Sequence, residues 1–455
     1  MSAPLRVAIV GAGPAGFYAA GDLLKAGDGS VEVDLFDRLP TPYGLVRAGV
    51  APDHPNIKVV TKVYEKTAAK PGFRYHGNVE IGRDITPAEL REHFHAVLYT
   101  VGAPNDRKLG IPGEDLPGSL GAADFVGWYN GHPDFRDLDP DLSGERAVVV
   151  GAGNVALDCA RMLGVPVAEL QSTDTADHAL AALAASSIRE VVILARRGPL
   201  QGAYTNPELL ELGEIEGLDV IVDADDVRLD DAHRALLETA DKTTRRNVEI
   251  VTDYAGRVPT GASRRIVLKF FSSPVEILGE DRVEGVRIVR NELVQNEDGS
   301  FSARPTEVTE TIAAGLVLRS IGYLGAPLDG VPFDERRGTI RNVDGRVTEE
   351  DGTVVPGVYT AGWVKRGPSG VIGTNKKCAQ ETVRELRADA EAGLLADPPK
   401  GAAELDALLA ERVPDRIDYA AWGRIDAHEV AAGEPAGRPR VKLVDIDEMV
   451  GVSRS

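Results

Sequence analysis

Cysteine is nearly missing from this chain: 455 residues carry two, Cys159 and Cys378. They have neither metal-ligand spacing nor a C-x-x-C arrangement, which excludes a disulfide framework. A reduced, cytoplasmic protein is the expectation from that usage. Long apolar runs are missing too. No stretch nears the roughly eighteen uncharged apolar residues of a transmembrane helix, so no membrane partner is expected. The opening Met1-Ser-Ala-Pro-Leu-Arg runs straight into an apolar strand pattern and leaves no room for a signal peptide. Positive charge is short as well: 51 Lys and Arg against 71 Asp and Glu give a net charge of −20. Phosphate contacts need a surplus of basic residues, which argues against a nucleic-acid partner. His93-Phe-His95 has no third ligand at useful spacing, and no metal site is expected.

Glycine is what the chain has in quantity, 49 residues, and two glycine-rich fingerprints stand out. The first is Leu5-Arg-Val-Ala-Ile-Val-Gly11-Ala-Gly13-Pro-Ala15-Gly16; the second is Ala147-Val-Val-Val-Gly151-Ala152-Gly153-Asn154-Val155-Ala156. In each, an apolar run that reads as a buried parallel strand stops at glycine, and a helical pattern begins. Glycines there allow a tight turn and let backbone N–H groups approach a pyrophosphate at a helix N-terminus. Two such sites imply two nucleotides bound together, a flavin partnered with a nicotinamide.

The residues ending each second strand separate the two sites. Asp37 closes the run Val31-Glu-Val-Asp-Leu-Phe, where a carboxylate accepts hydrogen bonds from ribose hydroxyls. After the second fingerprint the strand Glu190-Val-Val-Ile-Leu-Ala195 ends instead in Arg196-Arg197-Gly198. Guanidinium forks suit a 2′-phosphate, which favours NADP over NAD. The long spacing from Gly151 fits an Ala-rich helical insertion over Leu163 to Arg189. Further on, Arg265–Phe271 and Val283–Val289 read as antiparallel strands, and Ala314–Tyr323 as a return toward the first domain. Late in the chain Val358-Tyr-Thr-Ala-Gly-Trp363 precedes Gly367-Pro-Ser-Gly370-Val371-Ile372-Gly-Thr-Asn375, with helical pattern from near Lys376. A helix N-terminus aimed over Gly370–Ile372 would stabilise a reduced, anionic flavin ring. A last helix is expected from Glu404 to Glu411.

Longer runs carry a family resemblance. Pro42-Tyr-Gly-Leu-Val-Arg-Ala-Gly-Val-Ala-Pro-Asp-His54-Pro55, Gly153-Asn-Val-Ala-Leu-Asp158, Arg196-Arg-Gly-Pro-Leu-Gln201 and Gly362–Lys376 resemble the adrenodoxin-reductase-type ferredoxin–NADP⁺ reductases, in particular the bacterial members. The likeness is collinear from Val7 to Leu443 and includes Phe125-Val-Gly-Trp-Tyr and the closing Ala432–Leu443. It implies non-covalent FAD on Ala15, Asp37, Leu45, Ile81, Trp363 and Gly370 to Ile372. It implies NADP(H) on Arg107, Ala152 to Val155, Arg196, Arg197, Glu208 and Gly370. His54 and a nearby glutamate, Glu211 in first place and Glu208 in second, are implied as a proton-handling pair. From the residues alone, His54 reads as a turn histidine, Glu208 as the third position of a capping box behind Thr205, and Glu211 as solvated. The resemblance leads one to expect Glu in many relatives where Asp37 stands; the shorter arm weakens ribose binding slightly but keeps the chemistry.

The resulting expectation is an α/β chain with two Rossmann-like dinucleotide-binding domains, the NADP domain inserted into a discontinuous FAD domain. The bounds are residues 1–104 and 325–455 for FAD and 105–324 for NADP. Hydride passes from NADPH to FAD and single electrons leave for a ferredoxin-type iron–sulfur protein. The alternatives are an NADPH diaphorase for another acceptor and a nucleotide-binding redox sensor without turnover. A flavin disulfide reductase is disfavoured, because no redox cysteine pair exists. For docking an acidic ferredoxin, Lys25, Arg245 and Arg246 are the candidates, with Lys58 and Lys62 beside them.

Overall fold

The computed structural model describes residues 4–229, 231–297 and 300–455. The chain divides into two units, Met1–Asn105 with Asn130–Pro133 and Tyr323–Ser455, and Asp106–Tyr129 with Asp134–Gly322. Among the described residues no helix is long and apolar enough to cross a membrane.

The first unit is built on a seven-stranded sheet. Leu5–Val10 runs parallel to Val31–Phe36 on one side and to Ala96–Tyr99 on the other. Phe73–His76 extends the sheet beyond Val31–Phe36, in parallel. The late strand Val354–Thr360 returns to lie parallel to Ala96–Tyr99, so the sheet joins segments far apart in sequence. Such strands are apolar on both faces because helices cover both sides. Val7 and Ile9 face one core, shared with Phe17 and Leu23 of the helix Pro14–Leu23 and Val383 and Leu386 of the helix Ile372–Glu391. Ala8 and Val10 face the other, with Leu90, Leu405 and Leu409. The last of these lie on Ala402–Arg412, which ends just before Pro414.

The second unit carries a six-stranded sheet in which Ser119–Gly121, Leu316–Arg319, Arg146–Val150, Glu190–Leu194, Arg264–Lys269 and Leu218–Val222 are neighbours in that order. All these pairings are parallel. Two short helices, Val167–Leu170 and Asp177–Ala184, fill the Leu163–Arg189 insertion. The expected antiparallel direction for Arg265–Phe271 is corrected: Arg264–Lys269 is a parallel strand. Its alternating burial is the pattern usual for antiparallel strands, but its direction follows its neighbours Glu190–Leu194 and Leu218–Val222. The antiparallel part is a separate three-stranded sheet of Ser272–Leu278, Gly285–Gln295 and Phe301–Ala313.

Candidate nucleotide sites

In the first unit, the turn after Leu5–Val10 is fixed by backbone. Gly11 N–H donates to Phe36 O at 2.8 Å, and Thr100 Oγ1 donates to Gly11 O at 2.8 Å. Gly11 has φ +105°, and a Cβ there would stand 2.7 Å from Thr100 O, so only glycine fits. The helix Pro14–Leu23 starts from Gly13 with no side-chain cap, leaving its first N–H groups for a ligand. Asp37 is locked beside it: Oδ2 accepts from Ala12 N–H at 2.8 Å and Oδ1 from Leu39 N–H at 3.0 Å. Burial nevertheless pushes its pKa up, outweighing both hydrogen bonds.

Two further segments close on this turn. Tyr43 sits at φ +85° and its N–H donates to Ala12 O at 2.8 Å, while a Cβ on Gly44 would lie 3.0 Å from Gly13 Cα. Leu45 opens the short helix Leu45–Ala48 and is 46% exposed. Gly362 approaches so closely that its Cβ would stand 2.8 Å from Ala15 Cβ, which brings the Trp363 turn to the first fingerprint. Trp363 Nε1 and Arg366 Nε and Nη1 are buried without a hydrogen-bond partner among the described residues. Buried donors left unmade cost about 1–3 kcal/mol each, so they mark a place shaped for an acceptor-rich group. A flavin nucleotide fits that donor set. The helix Ile372–Glu391 begins four positions earlier than the Lys376 expected, and its N-cap residue Val371, which is exposed, makes no side-chain cap bond. Gly370 precedes it at φ +79°. Ile81 differs from the others: its side chain is buried in the core with Val79 and Ile85, leaving the main chain as the part that can meet a ligand.

The second unit repeats the turn. Gly151 N–H donates to Leu194 O at 2.9 Å, and its φ of +140° with a Cβ only 2.0 Å from Ser320 O again demands glycine. The helix Asn154–Gly164 starts from Gly153 without a side-chain cap. Ala152 O accepts from Ala203 N–H at 2.7 Å, and Asn154 Oδ1 accepts from Thr205 N–H at 2.8 Å. Val155 follows, half-buried. At the end of Glu190–Leu194 the main chain of both arginines is held: Arg196 O accepts from Asn291 Nδ2 at 2.8 Å and Arg197 O from Phe271 N–H at 3.2 Å. Neither guanidinium makes an ion pair among the described residues. Burial, with Arg196 adjacent, lowers the pKa of Arg197, a cost that an anion bound there would offset. A 2′-phosphate fits it. Arg107, whose N–H donates to Gly322 O at 3.0 Å, also has no ion pair among the described residues.

The glutamates meet a residue that sequence reasoning missed. Arg161 is fully buried; its Nη2 lies 2.8 Å from Asp158 Oδ1, and its Nη1 3.6 Å from Glu208 Oε2 and 3.7 Å from Glu211 Oε2. Thr205 makes no side-chain cap to the helix Asn206–Leu212, so Glu208 is not part of a capping box. Its carboxylate turns to Arg161 instead. The missed signal was the i, i+3 pair Asp158/Arg161, which reads as a solvated helix pair until Glu208 and Glu211 are added. In the first unit His54 precedes the helix Pro55–Lys58, its N–H donating to Ala51 O at 3.0 Å. His93 and His95 go separate ways, to Gly401 O and Arg6 N–H. Lys25, Arg245 and Arg246 are exposed, and Arg246 pairs with Glu249 at 2.9 Å. Cys159 and Cys378 are free and buried, each in a helix.

Comparison with known proteins agrees with this geometry. The model of the pyridine nucleotide-disulphide oxidoreductase family matches residues 5–381. The NADPH-ferredoxin reductase FprA of Mycobacterium leprae is 51% identical over 454 residues, 98% of this chain and 98% of that protein. The mitochondrial NADPH:adrenodoxin oxidoreductase of Arabidopsis thaliana is 41% identical over 465 residues, covering 99% and 96%. The solved structure of Mycobacterium tuberculosis FprA in complex with NADPH matches at 48% identity with a TM-score of 0.94, over 99% of this chain and 100% of that one. The chain therefore belongs to the pyridine nucleotide-disulphide oxidoreductase family, and within it to the adrenodoxin-reductase-type NADPH–ferredoxin reductases.

Proposed function

We propose that this protein is a ferredoxin–NADP⁺ reductase, with FAD on the first unit, NADP(H) on the second and a ferredoxin-type iron–sulfur protein as acceptor. FAD supplies the conversion between a two-electron hydride and single electrons. In the first unit, the Gly11–Gly16 turn and the open N-terminus of Pro14–Leu23 receive the pyrophosphate, and Asp37 accepts from the ribose. Leu45, the Ile81 main chain, Trp363 and Gly370 to Ile372 line the ring system, with the positive end of the Ile372–Glu391 helix toward it. In the second unit, Gly151 to Val155 receive the other pyrophosphate, Arg107 adds charge, and Arg196 and Arg197 grip the 2′-phosphate. His54 and Glu211, with Glu208 as second choice, handle the proton, and buried Arg161 orients the glutamates.

The observation that carries the nicotinamide assignment is the pair of guanidiniums that make no ion pair among the described residues of so acidic a protein. Anaerobic titration with NADPH, and separately NADH, tests the reading by the visible flavin spectrum. Bleaching at much lower NADPH than NADH is expected. A protein that cannot be reconstituted with FAD, or a flavin that neither nucleotide reduces, would leave a redox sensor without turnover as the reading.

A further inference from the structure

The surface that follows His54 has a composition at odds with the rest of the molecule. Pro55–Lys58 and Thr61–Ala68 are helical, and the two residues between them, Val59 and Val60, keep right-handed helical angles. One nearly continuous helical rod therefore runs from Pro55 to Ala68. Its inner face is anchored: Tyr64 is fully buried, and Val60 and Ala68 pack against the same core. Its outer face carries Val59, Lys62, Val63 and Lys66, at i, i+3, i+4 and i+7, the spacing of one helical stripe. Val59 is 52% exposed and Val63 50%, with Ile57 at 40% beside them. Lys62 and Lys66 make no ion pair among the described residues. Acidic Glu65 falls on the flank of this stripe, not within it.

We propose that this stripe docks the acidic iron–sulfur acceptor, a refinement that rests on the reductase reading above. Apolar side chains ringed by mobile cations are what a transient electron-transfer contact uses: a small dry centre, and charges that steer without holding. In a protein of net charge −20 an acidic partner is repelled over most of the surface. At physiological salt that repulsion fades within about 8 Å, so a local basic stripe decides where the partner lands. The stripe also follows directly on the Pro42–Pro55 segment, which carries Leu45 and His54. A partner seated on it is held by the helix that continues the flavin-binding loop.

The test uses the FAD-loaded full-length enzyme with NADPH and two acceptors, an acidic [2Fe–2S] ferredoxin and neutral 1,4-benzoquinone. K62E/K66E raises the KM for ferredoxin about tenfold at low salt, converging on wild type at high salt, as exposed steering charges do. K62Q/K66Q shows a smaller rise of the same kind. V59S/V63S raises the KM by several-fold at every salt concentration. Quinone reduction and melting temperature stay at wild-type values in all three, which removes misfolding as a cause. Wild-type ferredoxin KM in K62E/K66E and V59S/V63S overturns the docking face while leaving the reductase reading intact. A wild-type enzyme that reduces quinone but not ferredoxin overturns the reductase reading itself. A dimer in sedimentation velocity that V59S/V63S dissociates, or co-sedimentation with anionic phosphatidylglycerol vesicles that K62E/K66E abolishes, reassigns the stripe and overturns the proposal.

Discussion

Arg197→Ala is the substitution whose effect the structure ranks most sharply. Arg197 is half-buried and desolvated, and its main-chain oxygen accepts from Phe271 N–H. A charge-assisted hydrogen bond from such a group is worth about 1.5–3 kcal/mol. That converts to about a 10- to 150-fold loss of NADPH affinity. Arg196 is exposed, and screened contacts of that kind bring about 1 kcal/mol or less, fivefold at most. Arg197→Ala should therefore cost more than Arg196→Ala. NADH has no 2′-phosphate, and its kcat/KM should hold in both variants. Arg197→Lys should recover only part of the loss, because a point charge replaces a bidentate fork. Steady-state quinone reduction with each nucleotide measures all of this. Equal losses with NADPH and NADH, or a larger effect at Arg196, would refute the assignment of the 2′-phosphate to this pair.

Gly151→Ala places a Cβ 2.0 Å from Ser320 O and should abolish reduction by NADPH while bound flavin persists; Gly11→Ala, 2.7 Å from Thr100 O, should instead yield a colourless protein, both read from absorbance spectra. Glu429→Gln should lower stability to urea by about 3 kcal/mol or more, because it strands the Arg47 guanidinium, which is 10% exposed. Arg47 and Arg440 hold the Glu429 carboxyl below its ordinary range despite burial, so its contribution is present above the unfolded carboxylate pKa and lost as pH falls through the folded one; the variant should lack that acid-side loss. Asp106 is the opposite case: burial pushes its pKa up to about 7, so the stability it contributes in acid is lost as pH rises toward 7. Asp106→Asn should flatten that slope and be the more stable protein at pH 8, by at most about 4 kcal/mol, in urea melts.

Much of the fold was readable because parallel strands covered on both faces are continuous apolar runs, and because Gly11 and Gly151 occupy backbone conformations that other residues reach only with strain. The sites at these turns follow from the same local rules. What was not readable depends on residues distant in sequence. The direction of Arg264–Lys269 is set by its neighbours Glu190–Leu194 and Leu218–Val222, not by its own pattern. The early start of Ile372–Glu391 hides behind Gly373 and Thr374, exposed poor helix formers at the head of a helix whose later residues pack against Pro14–Leu23. Glu208 matches a capping box in spacing, yet Asn154 takes the Thr205 N–H, and buried Arg161 draws the carboxylate away. Arg161 itself reads as an ordinary helix-surface basic residue until carboxylates from two helices are brought to it.

The closing stretch Ala432–Leu443 acts on the loop that carries Leu45, far from it in sequence. Tyr43 is held at φ +85°, a conformation that costs a non-glycine residue about 1–3 kcal/mol unless its surroundings fix it. Three contacts do so. Its hydroxyl meets the Tyr419 hydroxyl at 2.7 Å, its ring stands edge-on to Trp422, and four residues on Arg47 grips Glu429 through both guanidinium nitrogens. Glu429 is fully buried and takes further hydrogen bonds from Arg440 and from Leu443 N–H, both in the closing stretch. Lys442 reaches across to Arg47 O at 3.1 Å. The closing motif is thus a clamp on the loop that carries Leu45. Loss of Glu429 should loosen that loop and weaken FAD binding before it unfolds the sheet, whose strands make no use of the clamp. Flavin release at urea concentrations below the main unfolding transition, in Glu429→Gln but not in wild type, is the result this reasoning requires.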